Sequence, residues 1–587
     1  MTVLRITRFL VFSSAVSLLS LLSLASENRS CRILPSDNAW PDQGVWNAFN
    51  TSVDGRLIKV VPDGSPCHDP GYDENLCEVV RKNWFDSQFH SGQPGSIMSS
   101  VIYNQSCDPF APRGTPCTMK NVVEYSVNVS QAEHVIRVVQ FVKEHNIRFV
   151  VKNTGHDYMG KSTGTGALSV WMHGLQDIEW VSDYVSTGYT GPVVKAPAGV
   201  TGSDLAAFAG ARGYAIVSGQ CPTVGFAGGY VQGGGHSMIA SVYGLAADQT
   251  LEFEVVTMQG EHLVASPAQN EDLYWALSGG GGGTYAIVLS VTVKVLPDVP
   301  LTLGFLNFAE NRSEVYWQAI SAYNAITPDL TNSQTTLQAF YLNNTFVIYP
   351  MVAINKTENE LKDMVRPFLD SLDDLHIQYN FTINPGARYL DVAGVLADLI
   401  PNVGDTLVAS RMLPRSLWDN ETSLSSVLDA TRKIAESGFM ATDLSFKLPT
   451  RLPGDAQNAV LPAWREAQRV FFSVLDYTGK ETRTEPYMAL HKVSDGISLM
   501  RKISPGSGGY LNEGDLFEPD FKDAFFGSNY DRLLSIKDKW DPDQFLYGST
   551  AVGGDRWRAD EDGRLCRAVN RIAKSASSEY GEILDHS

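Results

Sequence analysis

The stretch NTGHDYMGKSTG, residues 153–164, fits two unrelated chemical patterns, and its reading decides the fold. Residues 155–162 read G-x-x-x-x-G-K-S, the spacing of a phosphate-cradling P-loop, and residues 160–164 read G-K-S-T-G, the spacing of a hydrolase nucleophile elbow. Both patterns need a helix to begin directly behind the loop. The segment TGTGALSVWM follows instead, glycine-rich and then strand-like. The lysine and the serine therefore lack the scaffold their chemistry requires, and both readings are set aside. No G-x-G-x-x-G opens a helix in a strand–helix–strand unit, and no HExxH or CxxC motif suggests a metal.

Two further glycine-dense turns lie downstream, GQCPTVGFAGGYVQGGGHS (219–237) and SGGGGGTY (278–285). Glycine permits positive φ and a close approach of backbone to a ligand, and runs of exposed N–H groups make nests for anions such as pyrophosphate. The first turn contributes His156 and Asp157, the second Cys221. A soft sulfur and an imidazole on two such loops suggest the attachment of a cofactor.

The rest of the chain sets the compartment. Its 587 residues suffice for two or more domains, and 43% hydrophobic with 19% charged residues is ordinary for a globular protein. A net charge of −19 argues against a nucleic-acid partner, which needs a basic face. Residues 1–25 read as a secretory signal peptide: Arg5 and Arg8, then an apolar run, then small residues at the cleavage point. No other stretch reaches the roughly 18 apolar residues of a membrane span, so no membrane contact is expected once the signal is removed. N-x-S/T sequons at Asn28, Asn50, Asn104, Asn128, Asn311, Asn343, Asn355, Asn380 and Asn420 fit a secreted, extracellular glycoprotein. Such a chain has seven cysteines that should mostly pair. Cys67 with Cys77 and Cys107 with Cys117 are attractive local pairs, which would leave Cys31 and Cys566, but sequence does not fix the connectivity. Cys221 is the odd one.

Local patterns divide the chain. Residues 26–115 are loop-rich. VVEYSVNV is a strand, and SQAEHVIRVVQFVKEHN a helix with Val135, Val138, Val139 and Val142 on its apolar face, Ser130 as N-cap and Glu133 as capping-box partner. IRFVVK, ALSVWM, VVKAPAGV and YAIVSG read as strands, and TGSDLAAFAGARG as a helix capped by Ser203. LEFEVVTMQGEHLVAS reads as a hairpin turning at Gln259 and Gly260. Beyond Pro297 come strands LQAFYLNNTFVIYPMVAI and FMATDLSFKL, with helical stretches at 358–372, 423–437 and 462–474. Residues 505–557 are aromatic and turn-rich.

Taken together, TGHDYMG and CPTVGFAGGYVQGGGHS resemble the flavin-binding domain of the vanillyl-alcohol oxidase superfamily, most closely the secreted fungal members of its berberine bridge enzyme-like branch. The segment YLNEGDLFEPDFKDAFFGSNYDRLLSIKDKWDPDQFLYGSTAVGGDRW (510–557) resembles the end of that branch. The resemblance runs from about Cys31 to Trp557. It implies an α+β fold: a two-part FAD-binding domain of PCMH type plus a substrate domain with an antiparallel sheet covered by helices. The expected divisions are a signal peptide 1–25, an N-terminal disulfide-rich part 26–115, the PCMH-type domain 116–298, the substrate domain 299–504, a C-terminal segment 505–557 returning to the FAD domain, and a polar tail 558–587.

The resemblance also implies that His156 bonds to the flavin 8α-methyl and Cys221 to flavin C6, so that FAD is held twice, which would account for the odd cysteine. Asn153, Thr154, Gly155 and Asp157 would line the pyrophosphate. Gly225, Gly228, Gly233, Gly234 and Gly235 would pass close to the cofactor; Gly280 to Gly283 either join them or only turn into the next strand. Lys152 stands where relatives often have arginine, and His236 where many have a small residue.

Flavins take hydride at N5, and an alcohol substrate needs a base for its O–H proton. Tyr510 and Asn512, in an alternating strand-like pattern, are expected on one side, with Tyr510 as acid/base or positioning residue. Asp443 is the weaker candidate base. Val224, three residues after the flavin cysteine, resembles the choice that admits oxygen. The expectation is a secreted FAD oxidase that passes electrons from an alcohol or sugar-type small molecule to O2, giving H2O2. The alternatives are a tailoring oxidase or oxidative cyclase of secondary metabolism, and a flavin-bearing glycoprotein with little turnover.

Overall fold

The computed structural model describes residues 31–99, 102, 107–392, 403, 406–450, 457–476 and 486–568. The expected signal peptide, the sequons at Asn28 and Asn104 and the tail from 569 onward lie outside them. The architecture is α+β, with mixed and antiparallel sheets and helices packed on them.

The first sheet has the order β1-β2-β4-β3, from β1 (Leu57–Lys59), β2 (Tyr125–Asn128), β3 (Phe149–Lys152) and β4 (Leu168–Trp171). β4 lies parallel to both β2 and β3. The crossover from β2 to β3 is the helix Ala132–His145, whose valines at 135, 138, 139 and 142 are buried as their spacing requires. Its start differs from expectation. Gln131 is the N-cap without a side-chain bond, and the Ser130 N–H donates to His134 Nδ1 at 3.3 Å instead. Asn146, at φ +54, ends the helix in the left-handed conformation, with its N–H on Val142 O.

The second sheet is antiparallel, in the order β5-β6-β10-β8-β9. Its strands are β5 (Glu179–Ser186), β6 (Tyr189–Pro197), β8 (Thr250–Val256), β9 (His262–Ala265) and β10 (Ile287–Lys294). The β8–β9 hairpin turns where expected, with Gly260 at φ +82. The helix Gly202–Gly210 is capped by Thr201, not Ser203: the extended Thr201 puts its hydroxyl within 3.2 Å of the Asp204 N–H. The expected strand at YAIVSG shrinks to β7 (Tyr214–Ala215), paired with β11 (Leu296–Pro297).

The third sheet has seven antiparallel strands in the order β15-β12-β14-β13-β17-β18-β16. They are β12 (Leu301–Ala309), β13 (Thr335–Leu342), β14 (Thr345–Ile354), β15 (Tyr379–Ala387), β16 (Thr406–Pro414), β17 (Met440–Ser445) and β18 (Ala467–Asp476). Helices Ser313–Asn332, Glu358–Asp374 and Glu421–Glu436 contribute to an apolar core on one face. The other face joins the core of the first two sheets. This two-sided burial overturns the helix expected at 462–474. Only Pro462–Arg465 is helical, as one 3-10 turn, and the rest is β18. A strand buried on both faces loses its alternation and imitates a helical run.

The C-terminal segment returns to the first sheets. Leu546 bridges to Phe149, and buried Lys537 donates to Thr284 O, Leu546 O and Asp541 Oδ2 at 3.0, 2.8 and 3.0 Å. Disulfides join Cys31 to Cys566, Cys67 to Cys77 and Cys107 to Cys117, and Cys221 is free. No helix among the described residues is long and apolar enough to cross a membrane.

Candidate active site

β3 delivers the chain into the turn at 153–164. No helix follows, which removes the P-loop and elbow scaffolds. Gly155 sits at φ +93, and a Cβ there would lie 2.9 Å from Ser96 O. Asp157 lines the same cavity as His156, and its charge acts on Lys161. It takes the N–H groups of Met159 and Ser162 at 2.9 and 2.6 Å and braces its own turn. The backbone N–H groups of Thr154, Gly155 and His156 make no hydrogen bond among the described residues, although Thr154 and Gly155 are buried. Buried unpaired N–H groups are rare and call for an acceptor.

The second glycine loop packs on the first. Thr154 Oγ1 accepts from Gly225 N at 3.1 Å, and Asn153 donates through Nδ2 to Ala198 O. Asn153 Oδ1 is buried without a partner. The glycines let these loops and side chains approach closely. A Cβ on Gly225 would stand 1.9 Å from Asn153 Oδ1, one on Gly228 2.8 Å from Asn153 Nδ2, and one on Gly233 2.4 Å from Asn512 Nδ2. Gly234 and Gly235 take φ +111 and +76, and a Cβ on Gly282 would meet Gly229 Cα at 2.9 Å.

This packing brings the two expected attachment residues together. Cys221 Sγ lies 3.7 Å from His156 Nε2, and Thr223 Oγ1 lies 2.7 Å from that nitrogen and 3.8 Å from the sulfur. Burial pushes His156 down to about 3, helped by the charges of His90 and Lys152, so the imidazole is neutral. Burial raises the Cys221 thiol, while hydrogen bonds from the Thr223 backbone and hydroxyl oppose it. Burial also lowers Lys152 to about 7 against the pull of Asp63; its ammonium donates to Gln93 O at 2.9 Å. Val224 is half-buried beside them, and its carbonyl accepts from Gly202 N at 2.8 Å.

Residues from the C-terminal segment close the site. YLNEGD forms an irregular turn rather than the expected strand, with Glu513 N–H on Tyr510 O. Tyr510 and Asn512 still meet: Asn512 Nδ2 donates to Tyr510 Oη at 2.7 Å and to Gly229 O at 2.8 Å. Burial, reinforced by Glu513, raises the Tyr510 phenol far above its ordinary value, so it stays protonated. His236 sets its ring edge-on to Tyr510 at 5.2 Å between centroids, and its Nε2 is 3.4 Å from Glu513 Oε2. Glu513 also acts electrostatically on Tyr158 and Cys221. The seven-stranded sheet adds Gln338, bonded to Thr442 at 2.7 Å and to Gln220 at 3.3 Å.

Asp443 is not part of this group. Alternation along β17 sends Thr442 and Leu444 toward the flavin-side core and Asp443 to the helix-covered face. There it is fully buried, with Arg469 Nη1 at 3.0 Å, Tyr341 Oη at 2.5 Å and Ser445 Oγ at 2.7 Å. A carboxylate committed to a buried arginine is a structural anchor, not a free base. Glu513 and Thr223 were missed from sequence; the signal for Glu513 was a carboxylate three residues beyond Tyr510. Lys161 was dismissed with the P-loop. Its stem packs on Gly548, and its ammonium lies 3.9 Å from where a Cβ on Gly281 would stand, with no hydrogen bond or ion pair among the described residues.

Unpaired buried N–H groups, an orphaned amide oxygen, a glycine-walled cradle and a lysine that makes no hydrogen bond among the described residues fit a large anionic cofactor, with a thiol and a neutral imidazole at one end. Residues 123–266 match an FAD binding domain, and residues 509–553 match berberine and berberine-like proteins. The FAD-linked oxidoreductase patO of Aspergillus clavatus is 42% identical over 544 residues, 92% of this chain and 94% of that protein. The bifunctional decalin synthase calF of Penicillium decumbens is 40% identical, covering 94% and 98%. The crystal structure of the VAO-type flavoprotein MtVAO615 from Myceliophthora thermophila C1 superposes with a TM-score of 0.87 at 38% identity, covering 92% of this chain and all of that one. Fold and site thus define an FAD-linked oxidoreductase. The chain belongs to the berberine bridge enzyme-like family of VAO-type flavoproteins.

Proposed function

We propose that the protein is a secreted oxidase that removes hydride from a hydroxyl-bearing small molecule, with FAD attached through His156 and Cys221 and O2 as acceptor. The observation that carries this reading is the convergence of the one free cysteine with a neutral histidine, 3.7 Å apart, on two glycine loops. When bound, FAD accepts hydride and hands its electrons to O2, giving H2O2. The N–H groups of residues 154–156 and the Lys161 ammonium would bind the pyrophosphate. Asn512 holds the Tyr510 hydroxyl in place, and the protonated Tyr510 donates a hydrogen bond to the substrate oxygen. Glu513, oriented by His236, takes the hydroxyl proton as hydride leaves. Val224 leaves room for O2. Three disulfides and exposed sequon asparagines at 311, 343, 355, 380 and 420 support secretion.

Acid precipitation tests the reading directly. A washed pellet that keeps flavin absorbance supports attachment, and His156→Ala and Cys221→Ala assign the two bonds. Folded protein without flavin in pellet or supernatant would refute it. A second reading, a tailoring oxidase or cyclase of secondary metabolism, draws support from the decalin synthase relative. Release of H2O2 on a panel of sugars and simple alcohols favours the first reading over the second.

A further inference from the structure

Thr223 takes no part in the proposed reaction, yet its hydroxyl is the only side-chain group hydrogen-bonded to both attachment residues among the described residues. Its methyl-bearing side chain is buried, at 6% exposure, so the hydroxyl is held rather than solvated. The neutral His156 carries one N–H. Its Nε2 is engaged by Thr223 at 2.7 Å and faces Cys221 Sγ at 3.7 Å, whereas Nδ1 makes no hydrogen bond among the described residues. The nitrogen with room to bond to a cofactor carbon is therefore Nδ1. It can do so only with its lone pair free, which places the proton on Nε2, donated to Thr223 Oγ1. The Thr223 hydroxyl hydrogen is then left to point at Cys221 Sγ, and the three groups form one chain of donors ending on sulfur.

We propose that Thr223 couples the two attachments: its hydroxyl fixes the His156 tautomer by accepting from Nε2–H and steadies the sulfur as a nucleophile by donating to Sγ. The inference rests on the covalent reading above. The balance is the same for both bonds. A new N–C or S–C bond replaces one cofactor C–H bond. The displaced hydrogen and the N–H or S–H hydrogen end on the flavin together with two electrons, and dioxygen removes both hydrogens as one H2O2 per bond. Thr223 is a positioning residue, so its loss should change bond formation and not the binding of FAD.

The test compares wild type, Thr223→Val, which keeps the shape, and Thr223→Ser, which keeps the hydroxyl. Intact FAD-bound protein is sampled during expression, acid-precipitated, and the peptides bearing His156 and Cys221 are weighed by mass spectrometry. For Thr223→Val the expected result is normal total FAD, more of it released by acid, with attachment at both Cys221 and His156 slowed about tenfold, the scale of a lost hydrogen bond. Thr223→Ser should restore both. Wild-type bonding in Thr223→Val overturns the proposal, as does a serine variant no better than valine. FAD missing altogether from Thr223→Val would make the hydroxyl a binding group and also overturn it. A wild-type pellet without flavin, with FAD in the supernatant, overturns the covalent reading itself and is recognised before any variant is compared.

Discussion

Replacing Asp443 by asparagine should unfold the protein more easily and leave the chemistry alone. Asp443 and Arg469 are 0% and 1% exposed at their side chains, with 3.0 Å between them. The carboxylate also takes the Tyr341 and Ser445 hydroxyls. Arg469 has little else: its Nε and Nη2 are buried without another acceptor. Asparagine keeps the shape but leaves a guanidinium without counter-charge inside the seven-stranded unit. Breaking such a pair from one side costs about 3–5 kcal/mol. At roughly 2–4 °C per kcal/mol for a unit of about 200 residues, Tm should fall by roughly 6–20 °C. Thermal unfolding followed by tryptophan fluorescence reads this, with flavin content measured at 20 °C as the control. The double variant Asp443→Leu with Arg469→Met should recover most of the loss, because neither charge is then stranded. A Tm within about 2 °C of wild type for Asp443→Asn, together with lost hydride transfer, would refute the reasoning and return Asp443 to the list of bases.

Glu513→Gln should keep full flavin content and slow hydride transfer by about a hundredfold or more in anaerobic stopped flow; unchanged reduction would remove Glu513 from the chemistry. Lys537→Met leaves buried Asp541 without its counter-charge and the Thr284 and Leu546 carbonyls without that donor, and should cost about 3–5 kcal/mol, seen as a fall in the denaturant midpoint. Lys152 gives a pH signature. Its value falls from 10.5 to about 7 on folding, so between those limits the unfolded chain binds the extra proton and wild-type stability rises with pH. The Tm difference between Lys152→Met and wild type should therefore shift in favour of wild type as pH rises from about 7 toward 10.5. A difference that stays constant would show that Lys152 remains charged throughout.

The sequence by itself determined the elements whose signals are local. The valine stripe at 135–142, the Gln259–Gly260 turn and the three glycine loops are each written within a dozen or so neighbours, because helix period, turn conformation and backbone freedom are short-range properties. Cysteine parity showed that one thiol is left over, because a count needs no coordinates, and the three disulfides made it Cys221. The tertiary structure decided whatever depended on which face of an element is covered. Residues 467–475 lack a polar–apolar alternation because both faces are buried, and their pairing with β16 and β17 made them a strand. Asp443 and Thr442 are neighbours in sequence, yet the strand's two-residue alternation sends one to an arginine in the core and the other to the flavin side. The site itself is assembled from pairs 65, 67 and 277 residues apart, His156 with Cys221, His156 with Thr223, and His236 with Glu513. Contacts of that span leave no local periodicity to read. They form only when the burial of three sheets against one another fixes the loops, and that is why Glu513 and the bridging threonine emerged from the fold alone.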